Sequence, residues 1–148
     1  MAETFTLEVV TPLRQVVNEA VNDAQIPVLG GYIGVLPGHT PLLAEMGIGE
    51  LSYQVGGREF YCTTMGGFVE VLGDRVIVLG DIAERAEEIN VARAEAARDR
   101  AQKRLATTND PNIDWKRAEE ALQRAQVRLQ VAAKAGASSV GSSAPRAH

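Results

Sequence analysis

The chain contains 148 residues, of which 15 are Lys or Arg and 19 are Asp or Glu, so its formal net charge is −4. A chain of this length suits one or two small domains, and its acidic balance excludes nucleic acid as the main partner, because binding the phosphate backbone requires a basic surface. The single cysteine, Cys62, excludes an internal disulfide and favours a reducing compartment, and the lack of a basic leader segment or a long apolar run predicts a protein that is neither secreted nor membrane-spanning.

Composition divides the chain near residue 80. Residues 1–80 include 12 of the 14 glycines and all of the Phe and Tyr residues, a composition typical of strands and tight turns. The residues after this range are dominated by Ala, Arg, Glu and Gln, which favour helices. We therefore predict a β-sandwich domain over residues 1–82, an antiparallel α-helical hairpin over residues 83–134 and a disordered tail over residues 135–148.

Several short strands are predicted in the first part. In residues 5–9 and again in residues 51–55, apolar side chains alternate with polar ones, which is the period of a half-buried strand. Residues 56–57 (Gly-Gly) and 73–74 (Gly-Asp) separate neighbouring apolar runs as the turns of tight hairpins do. Short strands joined by such turns indicate two sheets packed on one another.

Residues 34–42 read GVLPGHTPL and contain the pair Pro37-Gly38. This pair fits the two central positions of a type II turn, where glycine tolerates a positive φ. Such a rigid loop serves either as a structural turn or as a surface shaped to meet a partner, and composition alone does not separate these two roles.

In the second part, apolar residues recur at steps of three and four along two segments, as on one stripe of a helix. The stripes are Ala94, Ala97, Ala101 and Leu105 in the first segment and Trp115, Ala118, Leu122, Ala125, Leu129 and Ala132 in the second. Asp110 as N-cap and Pro111 at the first helical position predict the start of the second helix. The two helices are expected to pack closely through their small side chains.

The residue types needed for catalysis are scarce. The chain has two histidines and, before residue 135, only the serine Ser52, which leaves almost nothing for a Ser-His-Asp or Cys-His arrangement. Glu50, Glu59 and Glu70 are expected on the solvated outer face of strands rather than as an acid–base pair. We predict no catalytic residues, no metal site and no enzyme activity in this chain.

Arginine supplies 12 of the 15 basic residues, and nine of these arginines follow residue 80. They form two helical stripes, Arg93, Arg100 and Arg104 on the first helix and Arg117, Arg124 and Arg128 on the second. One explanation is a solvated face with intrahelical ion pairs, such as Glu120 with Arg124. The other is a cradle for an anionic ligand or a stripe that grips acidic side chains of another protein, since guanidinium groups suit phosphates and carboxylates.

Three motifs, taken in order, resemble the epsilon subunit of bacterial F-type ATP synthase. They are residues 34–42 (GVLPGHTPL), residues 65–71 (MGGFVEV) and the hairpin rich in Ala and Arg that follows them. The similarity extends from residue 3 to about residue 134. It implies a flattened ten-stranded β-sandwich followed by a helical hairpin, in a subunit of the rotating central stalk that has no catalytic residues of its own.

The resemblance also implies partners. In this family the sandwich binds the gamma subunit and the c-ring, and the hairpin either folds beside the sandwich or extends among the catalytic alpha and beta subunits, where it blocks ATP hydrolysis. The expected docking residues are Gly30, Gly31, Tyr32, Pro37, Gly38 and His39. The loop at residues 30–32 is expected to face the ring, and Gly30 and Tyr32 replace an acidic pair often found there. The chain is then a peripheral protein that meets the bacterial plasma membrane only through the complex, on the cytoplasmic face.

Residues 89–94 (INVARA) resemble the ATP-binding motif of some family members, with Asn90 in place of an Asp. By position, the resemblance implies that the adenine base of ATP contacts Glu84, Asn90 and the backbone of Ala94. It implies that the phosphates are held by Arg93, Arg100, Arg124 and Arg128. An amide keeps an acceptor and gains donors but loses the charge, so we expect ATP binding to be retained but weaker. No cofactor is required, and ATP would act as a regulatory ligand.

Two other functions differ in kind from a rotor subunit. A stand-alone ATP-sensing module would have the same hairpin but a sandwich that binds some other partner, and association with gamma and the c-ring distinguishes the two. Binding of single-stranded nucleic acid by the arginines would need side chains on which bases stack, and the hairpin offers only Trp115.

Overall fold

The computed structural model of the chain describes residues 3–107 and 110–135. In these ranges eight β-strands are followed by a 3₁₀ turn and two α-helices, so the predicted order of sheet and then helices is confirmed. The strands are β1 (Phe5–Val10), β2 (Gln15–Val21), β3 (Asp23–Val28), β4 (Gly31–Val35), β5 (Leu42–Glu45), β6 (Ile48–Val55), β7 (Arg58–Leu72) and β8 (Arg75–Arg85). The helices are α1 (Val91–Ala106) and α2 (Trp115–Ala133). Of the disordered tail predicted over residues 135–148, residues 136–148 lie outside the described ranges.

The strands follow the order β2-β1-β8-β7-β6-β3-β4, with β5 added on β7. β1 is parallel to β8, whereas its pairing with β2 is antiparallel. β2 also contacts β6, which lies far from it in the strand order, so the sheet closes on itself as the predicted sandwich. The enclosed core is built from aliphatic side chains, and its fully buried members include Leu7, Ile26, Met46 and Leu51.

The alternation predicted for the first strand is confirmed, since Phe5, Leu7 and Val9 are buried and the residues between them are partly exposed. Both predicted hairpin turns are also present, between β6 and β7 and between β7 and β8. The first of them has φ values of +58° and +81° at Gly56 and Gly57, which are the two left-handed positions of a type I′ turn.

The sandwich has eight strands among the described residues, where the resemblance implies ten. Part of the difference lies in β7, which pairs with β6 up to Met65 and with β5 from Phe68 onward. At the bend between these halves, Gly66 and Gly67 have φ values of +73° and +100°, which glycine adopts without steric cost. One continuous strand therefore pairs with two different neighbours, and a strand broken at this bend would count as two.

The junction between the sheet and the helices is anchored by an ion pair and a hydrogen bond. β8 runs through Arg85, past residue 82, and a 3₁₀ turn follows at Ala86–Glu88. The Arg14 guanidinium donates two hydrogen bonds, of 2.6 and 2.8 Å, to the Glu88 carboxylate. Arg85 Nε donates to Val16 O at 2.8 Å. These contacts tie the start of the helical part to the β1–β2 region.

Replacing Glu88 with Gln is expected to lower the free energy of unfolding by about 1 kcal/mol at pH 7, the range of a partly exposed ion pair. The hydrogen bond from Arg14 lowers the pKa of Glu88 from 4.5 to about 2. A carboxylate with a lower pKa in the folded chain stabilises the fold above its unfolded pKa, so this contribution is present above pH 4.5 and is lost as the pH falls toward 2. Urea unfolding of both proteins at pH 7 and pH 3 measures the difference.

The control for this substitution is Glu87→Gln, which removes the same charge from an exposed neighbour. We expect the gap between wild type and Glu88→Gln to shrink at pH 3, whereas Glu87→Gln stays close to wild type at both pH values. Equal losses in the two variants at pH 7 would contradict the role given to the Arg14 pair.

The two helices pack on one another through alanines, as predicted. Ala94 and Ala101 of α1 and Ala118 and Ala125 of α2 are buried. A seam of such small side chains lets the helices approach closely but buries little apolar surface. The hairpin is therefore weakly held together by its own packing.

The prediction that Asp110 caps α2 is wrong. The cap is Asp114, whose side chain accepts the Arg117 N–H at 3.0 Å. The Asp110 carboxylate instead accepts the Asn112 N–H at 2.9 Å, and its carbonyl accepts the Ile113 N–H at 3.3 Å. Asp110 thus forms a local turn, a common use of Asp before Pro, and the helix starts after that turn.

The hairpin is folded against the sandwich, with α2 on the outer side of β6 and β7. Lys134 Nζ donates to Glu50 Oε2 at 2.8 Å, and Gln130 Nε2 donates to Glu50 Oε1 at 3.2 Å. Lys134 Nζ also lies 4.8 Å from the centre of the Tyr61 ring. The prediction that Glu50 is solvated is therefore wrong, because α2 covers it, and its side chain is only 13% exposed. Glu59 and Glu70 are exposed as predicted.

Candidate functional site

A cleft of about 490 Å³ lies where the start of α1, the second half of α2 and the end of β8 meet. Its lining consists of Glu84, Glu88, Ile89, Asn90, Arg93, Ala94, Ala97, Arg100, Ala121, Arg124 and Arg128. The structure thus brings together every residue that the resemblance assigns to ATP. These come from a strand and two helices, which only the folded position of the hairpin places side by side.

Helical spacing explains how the arginines reach the cleft. Arg93 and Arg100 are two turns apart on α1, and Arg124 and Arg128 are about one turn apart on α2, so each pair shares a helix face. From Asn90 to Arg100 the helix rises by roughly 15 Å. A cleft of this length can hold an elongated ligand with chemically different ends.

The start of α1 is formed by Asn90. Its side chain caps the helix, because Oδ1 accepts the Arg93 N–H at 3.0 Å. Capping fixes the orientation of the side chain, since the same oxygen satisfies a backbone donor that would otherwise lack a partner. Arg93 leaves the same first turn of the helix, so the cap also orders the backbone that carries it.

The charges in the cleft are only partly balanced. Arg128 Nε donates to Glu84 Oε1 at 2.8 Å, and the same oxygen accepts the Thr63 hydroxyl at 3.2 Å. Within residues 3–107 and 110–135, Arg93, Arg100 and Arg124 form no salt bridge. Glu120, the predicted intrahelical partner of Arg124, instead lines a different cleft beside residues 27–32. Three uncompensated guanidinium groups around one cavity favour a polyanionic ligand.

The structure separates the two remaining arginines of the stripes from this cleft. Arg104 and Arg117 line a smaller cavity of about 330 Å³ near the start of α2, together with Asn112, Ile113, Asp114 and Ala118. Antiparallel packing therefore brings the arginines together as two groups, since residues near the end of α1 face the start of α2.

The predicted docking residues lie in two separate turns of the sandwich. Gly30 and Gly31 join β3 to β4, and Tyr32 follows with 56% of its surface exposed. The Tyr32 hydroxyl accepts the Glu50 N–H at 3.3 Å. Gly49 permits this contact, because a Cβ built there would lie 3.0 Å from the hydroxyl and 2.6 Å from Pro27 Cβ. The aromatic ring of Tyr32 is therefore held in place, while its outer face stays exposed to solvent.

The second turn lies between β4 and β5 and contains Pro37, Gly38 and His39. Gly38 has a φ of +83°, and the His39 N–H donates to Leu36 O at 3.1 Å, as expected for the predicted turn. His39 Nδ1 lies 2.6 Å from Thr40 O. Leu36 is 63% exposed at the corner of this turn, so the turn presents an apolar side chain to solvent.

An apolar groove of about 610 Å³ was not predicted. It runs beside the bend of β7, where Phe68 and Leu79 pair across neighbouring strands and are 50% and 54% exposed. Leu43 of β5 is 67% exposed and is paired with Glu70, two residues from Phe68. The sequence did contain a signal for this exposed apolar surface, because alternation along β7 puts Phe68 on the face opposite to the buried Val69.

Other reactive groups lie in inert surroundings. Cys62 is buried, and burial raises the pKa of its thiol to about 12, so the reactive thiolate is not formed at neutral pH. Among the described residues there is no cluster of His, Cys, Asp and Glu that could hold a metal ion, and no helix is long and apolar enough to span a membrane.

Two family models match the chain. The model described as ATP synthase, Delta/Epsilon chain, beta-sandwich domain matches residues 4–86, and the one described as ATP synthase, Delta/Epsilon chain, long alpha-helix domain matches residues 87–133. The "ATP synthase epsilon chain" of Solibacter usitatus is 50% identical over 134 residues, which cover 90% of this chain and 99% of that relative. The "ATP synthase epsilon chain" of Syntrophobacter fumaroxidans is 48% identical, with the same coverage.

Solved structures show the same fold at lower sequence identity. A chain in the cryo-EM structure of Euglena gracilis mitochondrial ATP synthase, OSCP/F1/c-ring, superposes with a TM-score of 0.74 at 24% identity, covering 90% of this chain and 82% of that chain. A chain in the cryo-EM structure of the central stalk and c-ring of Tetrahymena thermophila mitochondrial ATP synthase gives a TM-score of 0.50 at 12% identity. The superposition covers 88% of this chain and 94% of that chain. At these identities the likeness concerns the fold alone.

Proposed function

The chain belongs to the delta/epsilon family of ATP synthase subunits, and from this we propose that it is a non-catalytic rotor subunit whose hairpin is an ATP-sensitive brake on hydrolysis. Its sandwich docks on the gamma subunit and the c-ring, so that ion-driven rotation is coupled to ATP synthesis. It is peripheral to the bacterial plasma membrane, on the cytoplasmic face, and is held there through the complex.

Docking by the sandwich is supported by its surface. The groove beside Phe68 and Leu79 and the two exposed turns at residues 30–32 and 37–39 lie outside the core, and large apolar side chains are exposed around them. Such patches on a small domain mark sites of protein association. We assign the groove to the gamma subunit and the turn at residues 30–32 to the c-ring.

We expect Leu79→Glu to weaken binding of the gamma subunit by at least about tenfold. A carboxylate in the middle of an apolar contact is desolvated without a partner, and the anchor side chain beside Phe68 is lost. Binding of purified gamma to the immobilised chain measures the effect. The control is Val91→Glu, which places the same charge on an exposed apolar position of α1. Unchanged gamma binding by Leu79→Glu would remove the groove from the docking surface.

The brake is supported by the weak attachment of the hairpin. Its alanine seam buries little apolar surface, and the face of α2 toward the sandwich offers the fully buried Val131 and a few polar contacts, of which Arg128 with Glu84 and Lys134 with Glu50 are the ion pairs. Partly exposed pairs of this kind contribute about 1 kcal/mol each. A hairpin held by a few kcal/mol can leave the sandwich and extend among the alpha and beta subunits, and a ligand can reverse this.

The observation that carries the proposal is the convergence of Glu84, Asn90 and the arginines in one cleft. ATP bound there contacts both helices and the last strand, so it binds only the folded hairpin. At 100 times its dissociation constant, ATP would stabilise the folded state by about 2.7 kcal/mol, which shifts an even equilibrium roughly 100-fold. The brake is then released when ATP is abundant and applied when ATP falls.

A calorimetric titration of ATP into the purified chain tests this site. We expect saturable binding, and a 10- to 100-fold loss of affinity in Arg93→Ala and in Arg124→Ala, because each removes a charge-assisted hydrogen bond to a phosphate. The control is Arg98→Ala, since Arg98 pairs with Asp99 outside the cleft and its loss should leave the affinity unchanged. Absence of binding at millimolar ATP would mean that the arginines serve subunit contacts only.

A further inference from the structure

The hairpin and the sandwich together form a cleft of about 550 Å³ beside the turn that we assign to the c-ring. The sandwich contributes residues 27–32 and 46–48 and Gly66, and α2 contributes Glu120 and Gln123. One wall of the cleft beside residues 27–32 therefore belongs to the hairpin. The cleft exists only while the hairpin is folded against the sandwich.

Helical spacing explains why α2 reaches this cleft. Steps of three and four along the helix place five residues on one stripe, Glu120, Gln123, Val127, Gln130 and Lys134. Gln130 and Lys134 bond to Glu50, so the stripe is directed at the sandwich. Glu120 lies roughly 21 Å along the helix from Lys134, at the end of the stripe that lines the cleft beside residues 27–32.

Glu120 brings an uncompensated charge to an otherwise apolar surface. In the part of the chain that the structure describes, it takes part in no salt bridge, and its surface is half-buried. Leu29, on the opposite wall, is 61% exposed, and the exposed Tyr32 lies beside it. A carboxylate at the edge of an exposed apolar surface complements a cationic side chain on the partner that covers this surface.

We propose that the folded hairpin is itself part of the c-ring docking surface, and that Glu120 pairs with a Lys or Arg side chain of the ring. Continuity supports this occupant, because the cleft directly extends the turn at residues 30–32. A segment of the ring seated on Leu29 and Tyr32 has the Glu120 carboxylate at its side. This inference rests on the proposed function, which assigns that turn to the ring.

This contact couples docking of the ring to the position of the hairpin. Glu120 leaves the cleft when the hairpin extends, so the ring binds the folded state more tightly than the extended state. Coupling of this kind is reciprocal, and a docked ring favours the folded hairpin by the same factor. The ring and ATP then stabilise the same folded position, and the hairpin extends less readily in the complex with its ring than in F1 alone.

Binding of F1, assembled with the full chain, to purified c-ring in lipid nanodiscs tests the pairing. We expect Glu120→Gln to lower the affinity by about 5- to 10-fold at low salt, because a charge-assisted hydrogen bond is replaced by a weaker neutral one. Added salt should narrow this difference from wild type. The control is Glu119→Gln, which removes the same charge from an exposed neighbouring position of α2 and should bind like wild type.

Trypsin digestion of the same complexes, followed on the hairpin of this chain, measures the coupling. We expect the ring to slow cleavage of the wild-type hairpin by at least about fivefold. In Glu120→Gln this protection should fall by the same factor as the affinity for the ring. Without the ring, wild type, Glu120→Gln and Glu119→Gln should be cut at equal rates, which shows that neither substitution releases the hairpin by itself.

A further variant separates this inference from the proposed function. Leu29→Ala combined with Tyr32→Ala removes the exposed apolar side chains of the turn and should weaken binding of the ring. If this double variant loses affinity and Glu120→Gln does not, the inference is overturned and docking by the turn stands. Cleavage of the hairpin that the ring does not slow would overturn it as well. If the double variant binds the ring like wild type, the assignment of the turn to the ring fails, and the inference fails with it.

Discussion

Gly67→Ala is expected to lower the free energy of unfolding of the chain by about 3 to 5 kcal/mol, the sum of a strained backbone and a steric clash. Gly67 has a φ of +100°, and a Cβ there would lie 1.9 Å from Leu79 O and 2.9 Å from Gly80 Cα. Both contacted atoms belong to the backbone of β8, so no side-chain rotation relieves the clash. The strand pair at the bend of β7 would have to separate.

Gly57→Ala is the matched control for this prediction. Gly57 also has a left-handed conformation, with φ +81°, but nothing lies within 4 Å of a Cβ built on it. Its substitution is expected to lower the free energy of unfolding by about 1 kcal/mol, because only the left-handed backbone conformation is unfavourable for alanine there. Urea unfolding followed by circular dichroism measures both variants. Losses of equal size would show that close packing at the bend contributes nothing.

Val131→Asp is expected to release the hairpin from the sandwich. Val131 is fully buried and lies midway between Arg128 and Lys134, three residues from each, on the face of α2 that bonds to Glu84 and Glu50. The substitution removes about 2 kcal/mol of apolar burial and places a carboxylate where it has no partner, at a further cost of at least about 2 kcal/mol. That total exceeds the few kcal/mol that hold the hairpin in its folded position.

Limited digestion with trypsin measures this release, because the arginines of the hairpin become cleavable when α2 leaves the sandwich. We expect Val131→Asp to be cut in the hairpin at least tenfold faster than wild type, while the thermal unfolding of the sandwich changes little. Gln126→Asp places the same charge on an exposed position of α2 and should be cut like wild type. Equal resistance of Val131→Asp and wild type would mean that Val131 does not hold the folded state.

The features of the fold that depend on local periodicity could be predicted from the sequence. The alternation in residues 5–9 and the glycine turns at 56–57 and 73–74 are local, and the alanine stripes of the helices follow from the period of 3.6 residues. The start of α2 could not be placed, because Asp110 and Asp114 are both good caps and the local turn at Asp110 decides between them.

The features that depend on contacts between distant segments were missed. Glu50 has the pattern of a solvated strand residue, and only the position of α2 covers it. The strand count depends on whether β7 continues through Gly66 and Gly67, which alternation does not settle. Phe68 and Leu79 form a groove only because the register of β7 and β8 pairs them.

The candidate site could be predicted from the sequence only in part. Helical spacing alone groups Arg93 with Arg100 and Arg124 with Arg128, but it also includes Arg104 and Arg117, which the fold places in another cavity. The contribution of Glu84 comes from the end of β8 and has no periodic signal. Family resemblance supplied that residue, and the folded hairpin brings it within 2.8 Å of Arg128.

The most direct test of the ATP-sensitive brake compares hydrolysis by ATP synthase assembled with the full chain and with a chain that ends at Glu88. The ratio of the two rates is measured from micromolar to millimolar ATP. The account predicts slower hydrolysis with the full chain at low ATP and a ratio that approaches one as ATP fills the cleft and holds the hairpin folded. A ratio of one throughout, or an inhibition that does not change with ATP concentration, would contradict it.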